Sequence, residues 1–216
     1  MIWGFDEDHR KKMIQAHQMS DPFFHIDHAY VKRGYENGNF RVNFKHFHQT
    51  GLLDVPGDRV SMAKKRIQDW NRTGRNVVVI IPSETVLSVI HAWRGGPATV
   101  RDWTRQTEET LRKHTDRPIV MKKKGPGLDG FLREAWAVVS LSSVSEVEAA
   151  LKGIPVFTSP DSPASPVSLK DLSLIEQPIY PDREAWLRSL GYSQFNVSEM
   201  KNGKVASILK DIYGLL

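Results

Sequence analysis

Four short apolar runs rich in β-branched residues recur from residue 76 onward: Asn76–Ile81, Arg117–Met121, Trp136–Leu141 and Ile154–Phe157. A strand with one wet face alternates apolar and polar residues, whereas a strand covered on both faces is apolar throughout. Runs of this kind, separated by segments of helical composition, therefore predict an α/β fold on a doubly wound parallel sheet. The helix punctuation agrees. Thr99 and Asp102 form a capping-box-like start to a helix reaching about His114, Leu128–Ala135 is shorter, and Ser143–Glu146 opens another with a second capping box. That last helix turns Val144, Val147 and Leu151 inward and stops at Gly153. Pro181, at a first helical position, opens a helix with Trp186 and Leu190 on one face, and a final helix spans Ser198–Ile212.

Before Asn76 the pattern is less regular. It gives a strand over Met1–Phe5, a helix over Asp8–Met19, a strand over Phe23–Ile26, an extended stretch over Phe40–Phe47 and a helix over Arg59–Thr73, with turns at Gly34, Gly38, Gly51 and Gly57. The change of pattern divides the chain into a small α/β lobe over 1–75 and a Rossmann-like nucleotide-sugar-binding lobe over 76–216, with the ligand expected in a cleft between them.

Composition narrows the class. The chain has 216 residues, 40% hydrophobic and 25% charged, which suits a globular protein and excludes collagen and disorder. No window approaches the roughly 18 consecutive apolar residues of a membrane span. The acidic start Asp6-Glu7-Asp8 lacks the basic end of a signal peptide, so a cytoplasmic protein without a membrane partner is expected. With no cysteine, catalysis falls to carboxylates, imidazoles, hydroxyls or bound ligands. The net charge is +5, residues 1–75 holding 13 Lys and Arg against 9 Asp and Glu, and six of the eight histidines precede residue 50. Such a lobe faces an anion or is simply a solvated basic surface.

In open parallel sheets, ligands collect outside the carboxyl ends of the strands, where helix N-termini present free N–H groups. Pro82-Ser83, Lys122-Lys123-Lys124-Gly125-Pro126-Gly127, Ser142-Ser143 and the Pro/Ser-rich loop Thr158–Pro166 all follow predicted strands. Together they suit a diphosphate. Taken singly, the serines are also ordinary N-caps and the lysines a solvated turn. A Gly-x-Gly-x-x-Gly fingerprint and a Walker loop are both missing, which argues against a dehydrogenase or P-loop enzyme. His25 with His28, and His46 with His48, could collect a metal, the second pair pointing one way if extended; surface or half-buried histidines are the commoner outcome.

The stretch Glu146–Val156, with Glu148-Ala149 followed by Gly153-Ile154-Pro155-Val156, resembles the donor-binding half of two-lobed glycosyltransferases of the GT-B type. The wider pattern is similar to a group of phage-encoded glycosyltransferase-like proteins. It includes Asp58-Arg59, Pro82-Ser83, Asp116–Ile119, Gly153–Phe157, and Glu176-Gln177-Pro178 through Trp186, Gln194 and Glu199, and covers about residues 22–204. The resemblance implies transfer of a sugar from a nucleotide-sugar donor, a UDP-sugar first, with no metal strictly required. It places Glu148 on the ribose hydroxyls and Ser142 and Ser143 on the diphosphate, to which Ser83, Lys122 and Lys123 are added from their strand-end positions. Leu141 stands where many retaining members carry a second glutamate, which removes the usual support for retention.

Phage-like kinship makes a modified base in phage DNA the preferred acceptor, in the host cytoplasm. Asp27, at the carboxyl end of an N-terminal strand, is the candidate base with His28 as its substitute, and Arg33 and Arg41 are the candidates for holding a DNA backbone. The alternative is a non-catalytic nucleotide- or nucleic-acid-binding protein, for example a counter-defence factor that sequesters a nucleotide signal.

Overall fold

The computed structural model describes residues 1–31, 38–61, 67–123, 125 and 127–214. The elements are β1 (Ile2–Trp3), α1 (Glu7–Gln18), β2 (Phe24–His28), β3 (Asn39–Phe44), β4 (Asn76–Ile80), α2 (Glu84–Arg94), α3 (Val100–Arg112) and β5 (Ile119–Lys122). They continue with α4 (Leu128–Leu132), β6 (Ala135–Ser140), α5 (Val144–Leu151), β7 (Val156–Phe157), α6 (Glu184–Tyr192), β8 (Gln194–Asn196), α7 (Val197–Lys201) and α8 (Lys204–Tyr213). Two units are present: Arg66–Asp182, and Met1–Lys65 together with Arg183–Leu216. Among the described residues no helix is long and apolar enough to cross a membrane.

In the 66–182 unit the strands run in the order β5-β4-β6-β7, every pair parallel. This is the doubly wound α/β arrangement that the apolar runs predict. Val77, Val79, Ala137, Val139 and Phe157 share one face and pack against Leu87 of α2, Trp103 and Leu111 of α3, and Ile175. Val78 and Val138 point the other way and are equally removed from solvent. Each fully buried side chain of this size contributes about 1.5–3 kcal/mol, which is why none of these positions alternates with a polar residue. Strand β7 begins at Val156 rather than Ile154; Pro155 has no N–H to give a ladder, and only its carbonyl is used, accepting from Val138 N at 2.8 Å.

The helix expected over Arg59–Thr73 is corrected in its second half, residues 62–66 lying outside the described set. Residues 67–75 carry no helix. The amides of Gln68, Asn71 and Arg75 donate instead to the carbonyls of Leu151, Gly153 and Glu134 at 2.7–2.8 Å, so tertiary hydrogen bonds override local propensity. Gly153 is required there on two counts. Its φ is +74°, and a Cβ would lie 1.9 Å from the Asp69 carbonyl oxygen.

The other unit holds a sheet of order β1-β2-β3-β8, parallel between β1 and β2 and antiparallel elsewhere. Residues 183–216, expected in the Rossmann-like lobe, lie in this unit because β8 extends its sheet, Phe40 pairing with Phe195 and Arg41 with Gln194. One face carries Ile26, Phe40, Val42 and Phe195 against Leu209 of α8. The register places His25, Asp27, Arg41, Asn43 and Gln194 on the opposite face, all but Asp27 buried. The expected single final helix is two, α7 and α8, divided at Asn202-Gly203, where Gly203 takes φ +81°.

Gly153→Ala and Gly203→Ala test the close approach at Asp69. Both place a Cβ at positive φ, costing about 1–2 kcal/mol, but only Gly153 has backbone within reach of it. Chemical denaturation should therefore show a clearly larger loss for Gly153→Ala; equal losses would mean that the Asp69 contact is not enforced.

Candidate functional site

Because β5 lies on one side of β4 and β6 on the other, the carboxyl ends of β4 and β6 form a topological switch point, the crevice where open parallel sheets bind ligands. Pro82-Ser83 leaves β4 there, Ser142-Ser143 leaves β6, and Lys122-Lys123 and the Thr158–Pro166 loop end the outer strands. Two helices start at this edge. Ser83 caps α2 by accepting from Val86 N at 3.3 Å, and Ser143 caps α5 by accepting from Ser145 N at 3.1 Å. Capping uses each hydroxyl oxygen as an acceptor and leaves its O–H to donate, while the positive ends of both helices remain directed at the edge.

Two other predicted ligands serve the edge from within. Ser142 is buried and its hydroxyl donates to the Asp161 carbonyl at 2.9 Å. Lys122 is buried too; its ammonium donates to the carbonyls of Lys123 at 2.8 Å and Gly125 at 3.0 Å and lies 5.5 Å from the Phe131 ring centre, so it builds the turn. Lys123 is exposed, and Lys124 lies outside the described residues. A concavity of about 1130 Å³ opens here between Ile81, Pro82 and Lys123 and the α3 side chains Val100, Arg101 and Arg105. Glu148 is half-buried on α5, near Asp129, which pairs with Lys152.

A carboxyl that sequence reasoning set aside is the most perturbed group at this edge. Glu146, read as a capping residue, is fully buried, and the Ser162 hydroxyl donates to it. The nearby polar groups of Ser140, Thr158 and Ser143 also favour its ionised form, yet burial outweighs them and the Ser162 bond together and pushes its pKa up to about 7. Asp161, beside Ser162 in the loop, is only 2% exposed and meets Arg94 at 3.0 Å. The available signal was the density of hydroxyls around Glu146 in the sequence, Ser140, Ser142, Ser143 and Ser145.

The predicted acceptor residues fall in the other unit. Arg33 lies outside the described residues. Arg41 is 4% exposed and gives all its directions to the chain itself: Nε to the Phe47 carbonyl at 3.0 Å, Nη1 to the His28 carbonyl at 2.6 Å and Nη2 to Asp27 at 2.6 Å. It is therefore not placed to hold a DNA backbone. Asp27 has both oxygens engaged, the second accepting from His28 N at 2.7 Å. His28 is half-buried, with its ring stacked on Phe40 at 6.1 Å.

The metal alternative is not assembled. His25 and His28 project from opposite faces of β2, and Lys45 at φ +56° turns the chain so that His46 Nδ1 accepts from His48 N at 2.9 Å. Among the described residues no group of three or more His, Cys, Asp or Glu could hold a metal ion. His25 and His48 are buried, and desolvation, aided by the Arg41 charge, pushes His25 down to about 4 and His48 well below its ordinary value.

No protein-family model and no curated protein matches the chain. Among solved structures it is similar to KpsC of Thermosulfurimonas dismutans, a beta Kdo 2,4 transferase, at 12% identity and a TM-score of 0.53, over 94% of this chain and 85% of that one. At this identity the likeness is one of fold.

Burial of His25 predicts acid sensitivity in the unit that holds it. A folded pKa of about 4 against 6.5 unfolded means that the native state resists protonation. Stability is then complete above pH 6.5 and is lost as pH falls toward 4, by about 3 kcal/mol at most. Hydrogen exchange of β2 and β3 amides should accelerate over this range. His25→Gln, which can still donate to the Gly4 carbonyl, should flatten part of the slope, His48 retaining its own share; an unaltered slope would rule out His25.

Proposed function

We propose that the protein transfers a sugar from a nucleotide-sugar donor bound at the carboxyl edge of the 66–182 sheet. The observation that carries this reading is the β5-β4-β6-β7 order, which brings the loops of Ser83, Lys122-Lys123 and Ser142-Ser143 to one switch point between two helix N-termini. The fold shared with a Kdo transferase supports sugar transfer as the class of reaction. Departure of a nucleotide leaves negative charge on its phosphate, and the positive ends of α2 and α5 with Lys123 are fixed donors for that charge. The phosphate contacts fall to backbone N–H groups of the first helical turns and to the O–H groups of Ser83 and Ser143, whose oxygens only accept in capping, whereas the Ser142 hydroxyl already donates to the Asp161 carbonyl. Glu148, on the same helix as Ser143, is assigned the ribose hydroxyls. A DNA acceptor keeps only the support of the net charge, because Arg41 is enclosed. Asp27 is carried as the acceptor's base by its chemistry alone, and Asp27→Asn should then lower the rate on the order of 10²-fold without weakening donor binding.

Thermal-shift titration with nucleoside diphosphates and UDP-sugars, followed by mass spectrometry of the products in the presence of EDTA, tests the donor site. A binding nucleotide raises the melting temperature in proportion to ln(1 + [L]/Kd). Glu148→Gln should weaken binding by about 1.5–3 kcal/mol, or roughly 10- to 150-fold, through lost charge-assisted hydrogen bonds. Failure of every nucleotide to stabilise the protein would end the proposal. Binding with release of the unchanged ligand would favour the sequestering reading instead.

A further inference from the structure

We propose that Glu146, acting as a neutral carboxylic acid, is the positioning residue that closes the Thr158–Pro166 loop over the carboxyl ends of β6 and β7. The inference rests on the proposed donor site only for what the loop borders; the closure itself is a property of the ligand-free chain.

Beyond the Thr158 hydroxyl, which donates to the Leu141 carbonyl at 3.2 Å at its start, the loop is fixed to the edge by three ties. The Ser162 hydroxyl donates to Glu146 and accepts from Ala164 N at 3.0 Å, so it joins the helix to the loop's own turn. Ser142 donates to the Asp161 carbonyl at 2.9 Å, and the Asp161 carboxyl meets Arg94 of α2 at 3.0 Å. Two of these ties are an ion pair and a neutral hydroxyl–carbonyl bond, whose strength does not vary near neutral pH. The tie to Glu146 is different in kind.

Ser140 at the end of β6, Thr158 after β7, Ser162 in the loop and Ser143 at the helix start surround that carboxyl, and every one of them contributes an uncharged group. The charged pair on the same loop, Asp161 with Arg94, is already self-compensating. Glu146 Oε1 and Ser140 Oγ are both buried without a hydrogen bond of standard geometry, so an acidic proton on Oε1 has a hydroxyl oxygen beside it. A neutral acid fits this chamber with one oxygen accepting from Ser162 and the other donating. A carboxylate would keep the hydroxyl bonds but place an uncompensated charge in the interior, and hydrating it requires the loop to lift. The raised pKa of about 7 agrees with that ordering of the two states.

Opening should follow ionisation. With a carboxyl shifted from 4.5 to about 7, protection of the loop amides from hydrogen exchange, corrected for the intrinsic rate, should fall on the order of 10²-fold between about pH 5 and about pH 8. Asp161, Ser162 and Ala164 are the amides to follow, each held within the loop. Glu146→Gln is neutral at every pH and can both accept from Ser162 and donate to Ser140, so it should keep the protected level throughout. Ser162→Ala should lower protection at all pH values while leaving Glu146 to titrate. Infrared difference spectra between wild type and Glu146→Gln at about pH 6 should show the stretch of a protonated carboxylic acid.

A flat wild-type profile, the same slope in Glu146→Gln, or no carboxylic-acid band would each overturn the proposal. None of these readings needs a nucleotide. If the loop behaves as described and no nucleotide binds, the closure stands and the donor site falls; if nucleotides bind and the profile is flat, the reverse holds.

Discussion

A parallel sheet covered on both faces can offer a ligand only the ends of its strands, and the chemistry of the 66–182 unit follows from that constraint. Val77, Val78, Val79, Val138 and Val139 leave no polar position in the middle of β4 and β6, so hydroxyls, ammonium groups and carboxyls are displaced to the strand ends and into the connections. Strand order then decides which connections meet. Had β5 and β6 been exchanged, the lysine turn and the serine turns would still exist, but α2 and α5 would not start on either side of a single crevice.

The unit formed by residues 1–65 and 183–216 solves a different problem, since one face of its sheet is polar and yet enclosed. Arg41 makes this possible by donating in three directions, to two carbonyls and one carboxylate. Such a layer is costly to bury and more costly to disrupt, since deleting either side chain of the Asp27–Arg41 pair would leave the other without its partner. His25 and His48 have no such partner and remain neutral. The two units therefore contain groups that respond oppositely to acid. His25 disfavours the folded state as pH falls, whereas Glu146 disfavours it as pH rises from 4.5 toward 7.

What the sequence disclosed and what it concealed divide along physical lines. Apolar β-branched runs announce buried parallel strands because nothing else tolerates them, and all four runs became strands of one sheet. Three-residue β8 was illegible, since Gln194-Phe195-Asn196 has no pattern of its own and becomes a strand only by pairing with β3. The 67–75 segment misled for a similar reason: its partners are carbonyls at Leu151, Gly153 and Glu134, far away in sequence. At the site, position along the chain correctly marked the strand-end loops, but a letter does not reveal whether a charge faces water. Arg41 read as an anion binder because its register opposite Asp27 is set by β2–β3 pairing. Glu146 read as a cap, and Glu148 drew attention through resemblance, although the more enclosed of the two is Glu146.

Residues 66–182 form one uninterrupted stretch, while the unit around β1–β3 is split between the two ends of the chain. During synthesis the inserted stretch has all its strands before residue 183 is made, and its sheet can close on contacts among β4 to β7. The N-terminal strands cannot do the same. Until Gln194–Asn196 is made, β3 has an unpaired edge, and until Leu209 is made the face of Ile26, Phe40 and Val42 has no cover. Synthesis thus leaves β1 to β3 waiting for residues 194–209, an interval in which that sheet edge is open to mispairing with other nascent chains.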